Sequence, residues 1–269
     1  MLRLPGALFL ENLIVRRTLL YQMVRRDFTQ RFVGSAAGWV WSLIHPLVLL
    51  LSWAFVFQWC LKVPPPPEAI TDNYTVFLFC GYLPWLMFQE TVQRSSNSMV
   101  DNANLITKTV FPAEVVPMSI LLSSMISHLL ALTLVIVMVA FWQGYFSYMV
   151  VLLPVYMALL GLFAVGVGWI ASALQVYLRD TTQLVIVILT GWFWLTPIFI
   201  HEEQFPENMR FLIKYNPLAY VVRAYRERIL TTRMPSVEEF FALAAAAVGV
   251  FVVGGLIFRH LKRGFADVL

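Results

Sequence analysis

Residues 115–142 read VVPMSILLSSMISHLLALTLVIVMVAFW. This run contains no Asp, Glu, Lys or Arg and exceeds the roughly 20 residues a helix needs to cross about 30 Å of hydrocarbon. Three more stretches have the same quality: Ala36 to Leu61, Val150 to Tyr177 and Phe240 to Phe258. Two others are less clean. Tyr74 to Phe88 continues toward Ser95 past Glu90 and Arg94, and Thr182 to Ile200 is interrupted by Pro197. With 60% hydrophobic and 13% charged residues in a 269-residue chain, one water-soluble core could not bury the apolar surface. The expected fold is an all-α membrane protein with six transmembrane helices.

An even number of spans puts both termini on one side, and the basic residues choose it, because loops rich in Lys and Arg stay in the cytoplasm. The first 35 residues carry Arg3, Arg16, Arg17, Arg25, Arg26 and Arg31, and the tail carries Arg259, Lys262 and Arg263. Lys62 to Asn73 has one Lys against Glu68 and Asp72, and Gln143 to Met149 has no charge, so both suit the outside. The expected organisation is a single transmembrane domain over 1–269. In it, 1–35 is a cytoplasmic or interface helix, 36–260 the membrane region and 261–269 a cytoplasmic tail. No cleavable signal precedes the first span. The net charge of +4 follows from the same basic bias and calls for no nucleic-acid partner. Cys60 and Cys80 fall toward the outer ends of neighbouring spans, where they can pair or remain as two reduced core thiols.

Ahead of the first span, Leu10, Leu13, Ile14, Leu20, Tyr21, Val24 and Phe28 recur at helical spacing, with Glu11, Asn12, Arg16, Gln22 and Arg26 opposite. Such a helix either lies on the inner leaflet or packs on the protein itself. Between the second and third spans, Asp101 to Val110 can form a short helix with Leu105, Ile106 and Val110 on one side. It is either a docking element for a soluble partner or a plain connecting turn. From His201 to Glu239 the chain is too long for a link and too charged to span, with six basic and six acidic residues. Its middle reads as Met209 to Tyr215, then Asn216 as N-cap and Pro217 at the first helical position. Leu218, Val221, Val222, Tyr225 and Ile229 follow along one stripe. Two short re-entrant helices on the outer side are expected, and Ser236 with Glu239 has capping-box spacing at the start of the last span.

The chemistry-bearing patterns are mostly missing. There is no phosphate-cradling Gly-x-x-x-x-Gly-Lys-Ser/Thr loop, so any nucleotide hydrolysis is expected from another chain. Gly166, Gly168 and Ala171 mimic a dinucleotide fingerprint but lie inside a span, where Ala164, Gly168 and Ser172 at four-residue spacing suit close helix packing. His45, His128, His201 and His260 are scattered without metal-ligand spacing. No catalytic residue and no metal site is expected. Glu90 and Arg94 can neutralise each other one turn apart, as can Arg179 and Asp180 at a span end. Aromatics are in excess: Trp39, Trp41, Trp53, Trp59, Trp85, Phe88, Trp192, Phe193 and Trp194 crowd the first, second and fifth spans. Sugar rings stack on aromatic faces, so some of these can line a polysaccharide passage, while the rest pack between helices or against lipid.

The segment Arg25-Arg26-Asp27-Phe28-Thr29-Gln30-Arg31-Phe32-Val33-Gly34-Ser35-Ala36-Ala37-Gly38-Trp39-Val40-Trp41-Ser42-Leu43-Ile44-His45-Pro46 is similar to a signature of the permease subunits of polysaccharide-exporting ABC transporters. O-antigen and teichoic acid export permeases are examples. Asn104 to Pro112, Tyr177-Leu178-Arg179-Asp180, and Asn216-Pro217-Leu218 through Tyr225-Arg226 also resemble that family, so the likeness covers nearly the whole chain. His45 stands where the family usually has Asn, Phe32 where Tyr is common and Ala37 where a larger aliphatic is common, which leaves the substrate open. The resemblance implies a transport subunit, not an enzyme, in the bacterial cytoplasmic (inner) membrane. It implies a homodimer working with two copies of a cytoplasmic ATP-binding subunit. ATP and Mg would sit in that partner, with no cofactor on this chain.

On that footing, Arg25, Arg26 and Arg31 are candidates for the lipid head group of a lipid-linked polysaccharide, in contact with membrane lipids. Trp39, Trp41, Trp53, Phe88, Trp192, Phe193 and Trp194 are candidates for the channel lining. Asp101, Asn104, Leu105, Ile106 and Lys108 are expected at the ATPase-coupling helix, and Asn216, Pro217, Tyr220, Tyr225 and Arg226 in the gate helices. A secondary transporter or channel working alone would carry a midplane ionisable site or paired repeats. An intramembrane glycolipid-processing enzyme would need carboxylates or histidines clustered on one cavity. Neither pattern is visible in the sequence.

Overall fold

The computed structural model describes residues 16–63, 71, 73–108, 111–144, 147–200, 202–232 and 234–269. Arg3, Leu10, Glu11, Asn12, Leu13, Ile14, Glu68, Asp72, Val110 and His201 lie outside the described residues. Every regular element among them is helical. In chain order these are α1 (Arg17–Gln30), α2 (Trp41–Ala54), α3 (Tyr74–Asp101), α4 (Ala103–Lys108), α5 (Val115–Gln143) and α6 (Leu153–Tyr177). They are followed by α7 (Thr181–Leu195), α8 (Arg210–Lys214), α9 (Pro217–Leu230), α10 (Val237–Leu261) and α11 (Phe265–Val268).

Among the described residues, four helical stretches are long and apolar enough to cross a membrane: Gly38–Cys60, Val115–Phe141, Tyr148–Tyr177 and Val237–Gly264. They coincide with the four cleanest apolar runs of the sequence. α7 is apolar but shorter, and α3, at 28 residues, is long but polar toward its C-terminal end.

Local sequence sets the ends. Asn73 caps α3 by accepting a hydrogen bond from the Val76 N–H at 3.2 Å. Gly144 closes α5 in the left-handed region at φ 71°, where a Cβ would be strained. Ser236 accepts from the Glu239 N–H, the expected cap of α10. α7 stops at Leu195 because Thr196 turns extended ahead of Pro197. α2 contains Pro46 and continues into a π-helical turn at Phe55–Cys60.

The core lies where α3, α6 and α10 pack together, with α5 and α9 against them. Glycines set the closest approach. The α-carbon of Gly166 faces the α10 backbone, and an added Cβ would stand 2.6 Å from the Val250 carbonyl oxygen. On the next face a Cβ at Gly168 would meet the Ser95 side chain of α3 at 2.9 Å. The small residues therefore serve close helix packing, as their spacing suggests, but Gly166 faces α10 while Gly168 faces α3.

Both cysteines are free: Cys80 is buried, whereas Cys60 is exposed, so only one of the pair is a core thiol.

Candidate functional site

One end of the molecule is organised by two residues of the 201–239 segment. Asn216 caps α9: its Oδ1 accepts from the Leu218 N–H at 3.0 Å and from Trp192 Nε1 at 2.9 Å, while its Nδ2 donates to Thr196 Oγ1 at 3.2 Å. One side chain thus starts α9 and ties it to the end of α7. Pro217 follows at the first helical position, and Leu218, Val221, Val222, Tyr225 and Ile229 are all buried, as the stripe predicts. Tyr225 shares a 3.0 Å hydrogen bond with His128 Nε2 of α5, and the Tyr220 hydroxyl donates to the Lys214 carbonyl.

Arg226 is buried at 5% exposure. Its guanidinium donates to the Phe77 carbonyl at 3.2 Å, the Pro197 carbonyl at 2.7 Å and the Ile198 carbonyl at 2.6 Å. It also lies 3.5 Å from the centre of the Phe77 ring. The Pro197 and Ile198 carbonyls lie just past the end of α7, where no helical N–H reaches them, and Arg226 supplies their donors, while its bond to the Phe77 carbonyl ties them to α3. On the same side Arg223 bonds Glu202 at 2.5 Å and also Glu239, linking the segment before α8 to the start of α10.

At the opposite end, four charged side chains join three elements. Arg31, just past α1, bonds Asp27 at 3.2 Å and Glu90 of α3 at 2.5 Å, and reaches Ser124 of α5 at 3.3 Å. Arg94 bonds Asp27 at 2.5 Å and Glu90 at 3.6 Å. The expected Glu90–Arg94 pair is therefore half of a larger network. Asp27, which sequence reasoning passed over, is its centre; the only signal was its four-residue spacing from Arg31. Burial by itself would raise the Asp27 carboxyl, but the Arg94 hydrogen bond and the Arg94 and Arg31 charges outweigh it and hold it below its ordinary 3.8. The stabilisation is thus complete above about pH 4 and is lost as pH falls through that depressed value.

α1 packs along α5. Of its two sequence-level alternatives, packing on the protein is realised, with Tyr21 left outward at 66% exposure. Asp27→Asn is expected to weaken this docking by about 1.5–3 kcal/mol, the range for hydrogen bonds to charged groups. Faster amide exchange confined to α1 would report it; unchanged exchange would reduce the network to a surface ornament.

The three candidate head-group arginines separate. Arg25 and Arg26 are exposed, whereas the Arg31 side chain is only 14% exposed and its terminal nitrogens are paired with two carboxylates. Arg26 lines a polar cleft of about 440 Å³ together with Arg94 and Asp101.

The candidate aromatics also divide. Trp39, Trp41 and Trp194 are exposed, while Trp53 stacks edge-on with Tyr82 and Phe199, and Phe193 packs on Trp85 and Phe199. Phe88 is fully buried against Phe163 and Trp192. It fills the seam of α3, α6 and α7, so a place on a passage wall is corrected to a place in the core.

The short helix between α3 and α5 is also redrawn. It spans Ala103–Lys108, and Asp101 is the last residue of α3, its carboxylate accepting from the Asn97 amide at 2.7 Å. Ile106 packs on the core, leaving Asn104, Thr107 and Lys108 exposed. α11 rests against this helix, held by Phe265 in the core and by Lys262 bonded to Glu114 at 2.5 Å.

Among the described residues no cluster of His, Cys, Asp or Glu could hold a metal. The geometry is that of a helical membrane component with a pinned helical hairpin at one end and a charged clamp at the other. The chain belongs to the ABC-2 type transporter family, whose signature matches residues 18–230. It is a transport component of the inner membrane, multi-pass by its apolar helices. Along 93% of its length it is 31% identical to the O-antigen export system permease protein RfbA of Klebsiella pneumoniae and 28% identical to that of Myxococcus xanthus. In each case 95% of the relative is covered. It is 19% identical to the polysialic acid transport protein KpsM of Escherichia coli over 91% of this chain and 94% of the relative.

Proposed function

We propose that the chain is the membrane half of an ATP-driven exporter that carries a lipid-linked polysaccharide, of the O-antigen, teichoic acid or capsule type, across the bacterial inner membrane. The observation that carries this reading is the 31% identity to an O-antigen export permease along 93% of the chain. In this reading the chain is a single domain of six spans, α3 and α7 completing the four apolar ones. α8 and α9 form the re-entrant outer segment, and both termini are cytoplasmic. ATP and Mg act in a separate subunit, present in two copies.

Two copies of the permease pair through the first and fifth spans. Only 17% of the first span's apolar window is buried within one chain, against 50% for the third and fourth spans, so its apolar surface remains for lipid or a second copy. Val48, Leu51 and Phe55 of the first span and Leu184, Val187 and Ile188 of the fifth are exposed and available for this pairing. The exposed Trp41 and Trp194 then flank the passage, and Arg25 and Arg26 are the free cations for an anionic head group.

α4 is the coupling element, presenting Asn104, Thr107 and Lys108 to the ATPase. Because these residues are exposed, Asn104→Glu with Lys108→Glu should leave folding intact. Polymer at the cell surface, measured by immunoblot, is expected to fall about tenfold or more, as for loss of a central interface contact. The ATPase should no longer copurify at the parental ratio. Normal export with a normal ratio would make α4 a simple turn.

A further inference from the structure

Apart from the exposed faces of the first and fifth spans, a cavity of about 330 Å³ opens between the inner end of α2, α3 and α5. That volume is at the small end of ligand pockets, which run from about 300 to 1,000 Å³. Arg31, Trp41, His45, Glu90 and Ser127 contribute its chemistry.

Its polar groups are unfinished. Ser127 is 8% exposed, and its hydroxyl finds no partner among the described residues. Ser119 donates back to the Val116 carbonyl and Ser42 to the Trp39 carbonyl, whereas Ser123, one turn away, shares the unpaired state of Ser127, which alone of the two lines the cavity. Arg31 Nε is likewise buried without a partner, although both terminal nitrogens of that guanidinium are engaged. Leaving such groups unpaired costs about 1–3 kcal/mol each, so the lining favours an occupant that carries hydroxyls.

Charge narrows the choice. Glu90 projects a carboxylate into the cavity and already neutralises Arg31, so a phosphate entering here would meet a negative group and no free cation. An alkyl chain would leave Ser127 and Arg31 Nε stranded. A pyranose meets both demands, because its hydroxyls can donate to a carboxylate and accept from an N–H. Its C–H face can lie on an aromatic ring, offered here by Trp41 and Phe32.

We infer that this cavity is a sugar subsite on the cytoplasmic side, taking one neutral hexose unit of the exported chain between Trp41, Ser127 and Glu90. It rests on the polysaccharide reading above and adds where the first ring is held.

The test uses the permease in complex with its ATPase in lipid nanodiscs. Cys60→Ser removes the exposed native thiol and leaves the buried Cys80, and Ser42→Cys places a reporter on the cavity wall. Labelling by N-ethylmaleimide is followed with octyl β-glucoside, octyl phosphate or octanol present. Octyl β-glucoside is expected to slow labelling, and the other two are not. Ser127→Ala should raise the half-protecting glucoside concentration about five- to tenfold, the worth of one buried hydrogen bond. Equal protection by octyl phosphate or octanol would overturn the sugar assignment, as would no protection by any probe, or full protection retained in Ser127→Ala. Export by the wild-type complex in cells is scored in parallel. Export without glucoside protection removes the subsite alone, whereas absence of export removes the polysaccharide reading.

Discussion

Arg226→Met should leave little folded protein in the membrane, with monodisperse yield after extraction falling severalfold and the remaining material melting well below the parent. The methionine matches the length of the stem but donates nothing. The carbonyls of Pro197 and Ile198 then lose their donors in a buried place, and the tie to the Phe77 carbonyl of α3 is lost with them. At about 1–3 kcal/mol for each stranded group, the sum approaches the 5–15 kcal/mol that holds a typical domain. Relief from burying a charge offsets part of this, which is why the neutral, apolar variant is the strict test. Arg226→Lys keeps the charge but cannot reach three carbonyls from one nitrogen, and its melting temperature should fall between the two. Gly81→Ala acts on the same contact from the other side, because a methyl there collides with the guanidinium. Parental stability in Arg226→Met would mean the hairpin is held by packing alone.

Gly254→Val is expected to be the most damaging change in the last span. A Cβ at this position collides with the Gly166 carbonyl oxygen, and neither side of the contact is a flexible side chain that can swing away. α6 and α10 must separate, losing the interlock that also buries Trp169 against Phe251. Overpacking a tight contact costs about 1–3 kcal/mol even where side chains can adjust, and backbone against backbone lies at or above the upper end. Gly249→Ala on the same helix meets nothing within 4 Å and should be neutral. Thermal unfolding of the pair in one detergent separates a packing effect from a change in helix propensity.

Much of this architecture is legible in the residues themselves, because an apolar run must become a helix in lipid. Val115 to Trp142 needs no partner to declare itself, and the same holds for Asn216-Pro217, whose capping chemistry is local. What escapes sequence reading is pairing across distance. Glu90 and Arg94 look self-sufficient one turn apart, yet Arg31 comes from 59 residues away to bond Glu90, and Asp27 lies 67 residues from Arg94. Aromatic placement fails for a related reason. Phe88 and Trp194 carry similar apolar surface, and only the packing of α3 on α6 and α7 buries one and exposes the other. Arg226 reads as one more charge in a mixed segment until the end of α7 is seen to leave the Pro197 and Ile198 carbonyls without a helical donor.

The two ends of α3 are fastened to different parts of the molecule. Glu90 and Arg94 bolt its C-terminal half to α1, and Arg226 grips its N-terminal end at Phe77. At about 1.5 Å per residue, its 28 residues make a strut of roughly 42 Å. Sliding α1 along this strut means breaking ion pairs, and sliding the helical hairpin means stripping carbonyls of their donor. The inexpensive motion is for all three to tilt as one piece, so a nudge delivered at one end of α3 reaches the other through a lever, with no refolding on the way.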